Sequence, residues 1–372
     1  MNVNHTLHIQ NEDAIQTLRN FLSAWWLRVE LDAMLAPVEL PDHGGVTAQV
    51  IDHPDDLSRV NPFAPVMLSN TASMVETFVK DHPHSHLAVM LRPCELRALV
   101  ELQKRNRVHY IPASSAKGNH ESLVILSVDC PGTFLPSEYA RHVEQHLDDA
   151  EMIKVALAYG TYESYIPYQV RSACQMCDSP APLGADVVIG SIGTVPEGYM
   201  LVIASDEKMD AALKLDDITD GIATEKEVVH RELMVGKLAD KRAKLRDHLI
   251  ENQTWRAEDL TGAMALFARC TLCADCLDAC PLYEGELTGM LGVRDAHHRT
   301  HPLLAELVGV SRWLATCSGC GMCQEICEHG VSLTPIITTL SHRIQRELNY
   351  RPGDPNQPLP WAVAETIQRS KS

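Results

Sequence analysis

Apolar residues near the start of the chain recur at helical spacing. Leu18, Phe21, Leu22, Trp25 and Trp26 share one face of a pattern that runs from Asn11 to Leu35. Asn11 is placed as the N-cap, with Glu12 and Asp13 in the first turn, and the stripe reads as core. After loops rich in Pro and Gly the pattern changes. His86–Leu91 is a short continuous apolar run, which predicts a buried strand. It ends at Arg92-Pro93-Cys94, and a helix follows from Glu95 to about Lys104. Leu123–Val128 predicts a second strand, ending at Asp129-Cys130-Pro131-Gly132. Each unit leaves a cysteine just past the carboxyl end of a strand. If the strands are parallel, both thiols lie on the edge where open α/β sheets hold ligands. Asp186–Ile192 and Met200–Ala204 predict further strands, so residues 1–215 read as one α/β domain.

Thr224-Glu225-Lys226-Glu227 is a capping box. It opens a charged helix running to about Glu251, expected as a connector (216–252) solvated on one face. From Trp255 onward the pattern is helical apart from the cysteine runs, giving a helical domain at 253–350 and an extended surface tail at 351–372. The predicted class is α+β: an α/β domain followed by an all-α, ferredoxin-like domain.

The formal net charge is −17, with no cluster of Lys and Arg to neutralise phosphates, so nucleic acid is excluded as a partner. The acidity suits docking to a basic protein surface. The N-terminal stretch has no basic segment followed by an apolar one, so no secretory signal is expected. The longest apolar candidate, Phe21 to Leu35, is interrupted by Arg28, Glu30 and Asp32, so no membrane span is expected. The expected location is the cytoplasm. Disulfides are rare there, and twelve cysteines therefore call for metal or redox chemistry.

Eight of them form two runs. Cys270-x2-Cys273-x2-Cys276-x3-Cys280-Pro281 is repeated as Cys317-x2-Cys320-x2-Cys323-x3-Cys327. The x2 spacings let three thiolates curl round one cubane, while the fourth cysteine reaches the other cluster. Cys270, Cys273, Cys276 and Cys327 are assigned to one 4Fe–4S cluster, and Cys317, Cys320, Cys323 and Cys280 to a second. The competing reading is a pair of zinc sites, which more commonly use C-x2-C pairs. The long spacer contains a helical segment, Pro302 to Leu314, and the region resembles the helical dicluster ferredoxin module of heterodisulfide reductase and succinate dehydrogenase subunits. One departure is Glu328 after Cys327, where Pro is usual. Gly319 and Gly321 stand between ligands, where small residues let backbone N–H groups approach sulfur or simply make the turn.

Cys94, Cys130, Cys174 and Cys177 remain, the number a third cubane requires. A zinc site and plain buried thiols are the alternatives. Against burial alone, the thiols neighbour Pro, Gly or Arg, and two of them form C-x2-C.

Three motifs add a resemblance. Arg92-Pro93-Cys94-Glu95-Leu96-Arg97-Ala98-Leu99, then Val128-Asp129-Cys130-Pro131-Gly132, then Arg171-Ser-Ala-Cys174-Gln-Met-Cys177-Asp178 with Ala185–Gly193 resemble motifs of the coenzyme F(420)-reducing hydrogenase beta-subunit family, which includes formate dehydrogenase beta subunits. The resemblance covers roughly residues 15–205 and implies a 4Fe–4S cluster on those four cysteines with an FAD nearby. Arg92, Arg97 and Arg171 are candidates to neutralise cluster or pyrophosphate charge, and the Gly190–Gly193 turn to let backbone approach the cofactor. Relatives often carry Gly-Gly before the first helix. Here that region reads Asn11-Glu-Asp-Ala-Ile-Gln-Thr, and Gly44-Gly45-Val46 comes later.

The resemblance implies an electron-transfer subunit beside a catalytic molybdenum or tungsten formate dehydrogenase alpha subunit. Electrons would leave to a soluble carrier such as a deazaflavin, NAD(P) or ferredoxin. The alternative is a flavin-free wire toward heterodisulfide-reductase-like or membrane partners. No catalytic residue is assigned. The histidine groups His82, His84, His86 and His297, His298, His301 are expected on the surface, and no nucleophile elbow, Walker loop or H-E-x-x-H motif is present.

Overall fold

The computed structural model describes residues 2–41, 45–110, 122–144, 170–252, 261–262, 265, 267–283 and 302–362. His297, His298, His301, Gly44 and Trp255 lie outside the described residues.

The strands are β1 (Val3–His8), β2 (Ala33–Glu39), β3 (Val46–Ile51), β4 (His86–Leu91), β5 (Ser122–Val128), β6 (Val187–Gly190) and β7 (Tyr199–Ala204). They form one sheet in the order β1-β7-β6-β5-β4-β2-β3. Its centre, β2, β4, β5 and β6, is parallel, and the remaining pairings are antiparallel. Every residue of β4 and β5 is buried, as expected of parallel strands covered on both faces. One face packs against α1 (Ala14–Val29), the other against α2 (Ala72–Asp81) and α3 (Pro93–Lys104).

The helix expected from Asn11 to Leu35 is shorter. Asp13, not Asn11, caps it, accepting from the Gln16 N–H at 2.8 Å. Glu30 ends it in a left-handed conformation (φ 52°), and the buried run from Ala33 enters the sheet instead. Helices α4 (Pro136–Glu144), α5 (Ser172–Gln175) and α6 (Glu207–Leu213) follow. His86, expected on the surface, is buried in β4 with Nδ1 2.9 Å from the Val29 carbonyl.

Helix α7 (Glu225–Glu251) starts at the capping box, where Thr224 N donates to Glu227 Oε2 at 2.7 Å. It is more than a connector. Met234, Leu238, Arg242 and Arg246, spaced by four on one face, are buried. Beyond it the described residues contain no strand. They form α8 (Asp275–Asp278), α9 (Pro302–Ala315), α10 (Met322–Glu325) and α11 (Leu333–Glu347). The segment after α11 is not simply extended over the surface: Tyr350 OH donates to buried Glu101 of α3 at 2.7 Å, and Gly353 N donates to the same carboxylate at 2.8 Å. No helix among the described residues is long and apolar enough to cross a membrane.

Candidate iron–sulfur centres

The parallel pairing of β4 with β5 sets Leu91 opposite Ser127. Arg92-Pro93-Cys94 and Asp129-Cys130 therefore leave the sheet at the same edge. Pro93 opens α3 and puts Cys94 in its first turn, where a missing N–H costs nothing. Asp129 fixes the neighbouring loop: its carboxylate accepts from Ser191 N (3.0 Å) and Ile192 N (3.2 Å) and pairs with Arg231 at 2.5 and 2.9 Å. Cys130 N donates to the Pro180 carbonyl at 2.8 Å, tying it to the segment after Cys177. Cys174 sits in the single turn α5. Cys94, Cys130, Cys174 and Cys177, distant in sequence, line one cavity of about 330 Å³.

The surroundings of that cavity are cationic. Arg171 Nη2 lies 3.8 Å from Cys174 Sγ, and Arg97 Nη2 lies 3.7 Å from Cys177 Sγ. Arg92 is anchored on the Ala64 and Val66 carbonyls, and Arg242 on the Pro131 carbonyl. Arg92, Arg171 and Arg242 are buried, and a buried guanidinium is costly without a compensating anion. The thiols respond unequally. Burial pushes Cys94 and Cys130 up. Burial also acts on Cys174, but Arg171 and two hydrogen bonds from Thr133 outweigh it and hold the thiol below its usual range.

In the second quartet, Cys280 reaches across to Cys317, Cys320 and Cys323, and the four line a cavity of about 460 Å³. Trp313 Nε1 donates to Cys280 Sγ at 3.2 Å, yet burial still raises that thiol to about 12. The Gly319 amide faces Cys317 and lowers it against the effect of burial. In the remaining quartet Cys276 is raised by burial and then by the charges of Cys273, Cys270 and Cys327. Cys270 and Cys273 are exposed.

Among the described residues no three His, Cys, Asp or Glu side chains converge closely enough to hold a single metal ion. A zinc–sulfur bond of about 2.3 Å would require such convergence, whereas a cubane binds its four thiolates at separate corners. The donor set and the cavities therefore fit clusters better than zinc. The quartets also adjoin one another. Cys320 lines both the Cys317 and the Cys94 cavities, and Cys323 lies within electrostatic reach of Cys276.

Residues 84–230 match the family described as the C terminus of the coenzyme F420 hydrogenase/dehydrogenase beta subunit. Residues 241–331 match the 4Fe-4S dicluster domain. The chain carries an F420 hydrogenase/dehydrogenase beta-subunit domain joined to a 4Fe–4S dicluster domain. Two similar proteins are the F420-dependent formate dehydrogenase subunit beta of Methanocaldococcus jannaschii (23% identical, over 77% of this chain and 78% of that one) and F420-dependent formate dehydrogenase 1 subunit beta of Methanococcus maripaludis (23%, 75% and 75%). A chain of the F420-reducing NiFe hydrogenase complex from Methanosarcina barkeri aligns at a TM-score of 0.48 with 12% identity, over 68% of this chain and 93% of its own.

Within the beta-subunit domain, the five residues expected near a flavin do not gather into a cradle. Gly190 and Gly193 lie beneath α7. A Cβ at Gly190 would fall 2.4 Å from Arg231 Nε, and one at Gly193 2.5 Å from Met234 Cγ. Their small size admits the helix. Arg92 and Arg171 are committed to carbonyls, Thr133 and thiols. Arg97 alone borders a wide cleft, whose walls include Arg246, His342 and Arg346 and which reaches Cys177 and Cys317. Arg231, Arg242 and Arg246 were missed by sequence reasoning. The signal was the four-residue spacing Met234, Leu238, Arg242, Arg246, in which guanidinium groups continue an apolar stripe.

Proposed function

We propose that this chain is a cytoplasmic electron-transfer beta subunit of a formate dehydrogenase-type complex, carrying three 4Fe–4S clusters in a row. The observation that carries this reading is the succession of cysteine quartets. The Cys270 quartet adjoins the Cys317 quartet through Cys276 and Cys323, and the Cys317 quartet adjoins the Cys94 quartet through Cys320. A catalytic alpha subunit holding molybdenum or tungsten would exchange electrons with one end of the row. The names of the two methanogen relatives suggest coenzyme F420, a deazaflavin, as the soluble carrier at the other. This chain's own residues hold the clusters, exclude water from the two inner ones and supply compensating charge.

An FAD, when bound, would interconvert one-electron and two-electron transfer. Because Gly190 and Gly193 are closed by α7, no step is assigned to it here. The same observation favours a second reading, a flavin-free wire to an adjoining redox subunit. Anaerobic purification with assay of iron, sulfide and flavin separates these. About twelve irons per chain with flavin supports the first reading and about twelve without it the second; about four irons ends both.

A further inference from the structure

Arg97 lies where two cysteine quartets meet. It sits one turn after Cys94 on α3, and its guanidinium leaves the beta-subunit domain for the dicluster domain. Nε and Nη2 donate to the Ser318 carbonyl, between Cys317 and Cys320, at 3.1 and 2.9 Å. Nη1 donates to the Ser179 carbonyl at 3.2 Å, and Nη2 lies 3.7 Å from Cys177 Sγ. One guanidinium therefore holds the ligand loops of both quartets.

Its neighbours explain what the charge is for. The two carbonyls are neutral. Among the described residues no carboxylate stands within ion-pair distance of Arg97, whereas Arg171 has Glu325 at 3.9 Å. The thiols that interact with its charge come from both quartets, Cys94 and Cys177 on one side and Cys317 on the other. The side chain is also held in place. A Cβ at Gly353 would fall 2.4 Å from Arg97 Cγ, so the segment after α11 closes over its stem. Arginine keeps its proton at every physiological pH, so this is a fixed charge.

We propose that Arg97 is a shared counter-cation for two neighbouring clusters, one on the Cys94 quartet and one on the Cys317 quartet, and that it raises the reduction potentials of both. This rests on the three-cluster reading above. A reduced cluster carries one more negative charge than an oxidised one. A cation fixed between two of them favours reduction of each and offsets their mutual repulsion. The cluster of the Cys270 quartet, outside its reach, is an internal reference.

The test is a potentiometric titration of the anaerobically purified holoprotein followed by electron paramagnetic resonance, with iron assayed on the same samples. Arg97→Gln is expected to keep about twelve irons while two of three midpoints move to more negative potential and the third stays. Arg97→Lys, which keeps the charge but loses the fork on Ser318, is expected to show the smaller shift. Three unmoved midpoints in a fully loaded Arg97→Gln protein would make the residue a structural tie and overturn the proposal. If Arg97→Gln fails to load, Arg97→Lys decides. Full iron with wild-type midpoints supports the charge; incomplete iron or shifted midpoints overturns it. A wild-type protein with fewer than about twelve irons would instead refute the three-cluster reading itself.

Discussion

The two cysteine runs of the dicluster domain are the same device in different surroundings. Each places two residues in the left-handed region, Leu272 (φ 60°) and Ala274 (φ 73°) in the first, Gly319 (φ 70°) and Gly321 (φ 74°) in the second. Each continues into a single helical turn, Asp275–Asp278 or Met322–Glu325. Spacing and backbone thus repeat, and the environments do not. The first run is open to solvent, with Leu272 88% exposed. The second is pressed against the beta-subunit domain, where a Cβ at Gly321 would fall 2.4 Å from Ala173 Cβ. The ligand arc is set locally, and glycine is required only where another domain must approach it. The open run accepts backbone strain of about 1–3 kcal/mol per residue in exchange for nothing that depends on close contact.

The largest expected effect falls on the packed side. Asp129→Ala leaves the Arg231 guanidinium buried without its carboxylate and should cost about 3–5 kcal/mol. The Cys94 quartet should lose its iron while the Cys270 quartet keeps its own. Loss of all iron would mean that the two sides are not independent. Asp186 gives the sheet a pH dependence that the open run lacks. Burial raises its carboxyl from 3.8 to about 6, against the Ile125 N–H that it accepts. A raised acid contributes stability that is present below the unfolded value and lost as pH rises through the folded one. Asp186→Asn should therefore raise the thermal midpoint at about pH 8, by the equivalent of at most about 3 kcal/mol, with the gain shrinking toward about pH 5. A gain that does not vary with pH would remove this assignment.

Gly321→Ala should destabilise the junction by about 1–3 kcal/mol, through overpacking on Ala173 and the left-handed backbone. The counterpart, Leu272→Gly, should leave iron unchanged and stabilise by about 1 kcal/mol or less, since an exposed side chain is lost and strain is relieved. Thermal unfolding of both variants measures the contrast directly. Equal effects of the same sign would erase the distinction between the two runs.

The elements that were legible in the sequence are those whose signal is local. The strands at 86–91 and 122–128, the capping box at Thr224 and the repeated cysteine spacing each depend on residues a few positions apart. Strands β1, β2 and β3 escape a local reading, because the helical stripe from Leu18 to Trp26 runs on into the apolar start of β2, and only the left-handed Glu30 separates them. The gathering of Cys94, Cys130, Cys174 and Cys177 was half legible: two thiols follow strands, but their meeting with the C-x2-C pair needed the sheet order.

Taken alone, the sequence determined the twelve sulfur ligands, the two local arcs and the class of chemistry, because short spacings restrict how a backbone can wrap a ligand. Tertiary structure decided which quartets are neighbours, which arginines face the thiols and which glycines admit a partner helix. Arg242 comes to Cys130 from 112 positions away and Arg97 to Ser318 from 221. Such distances are set by the packing of buried faces, and no local pattern encodes them.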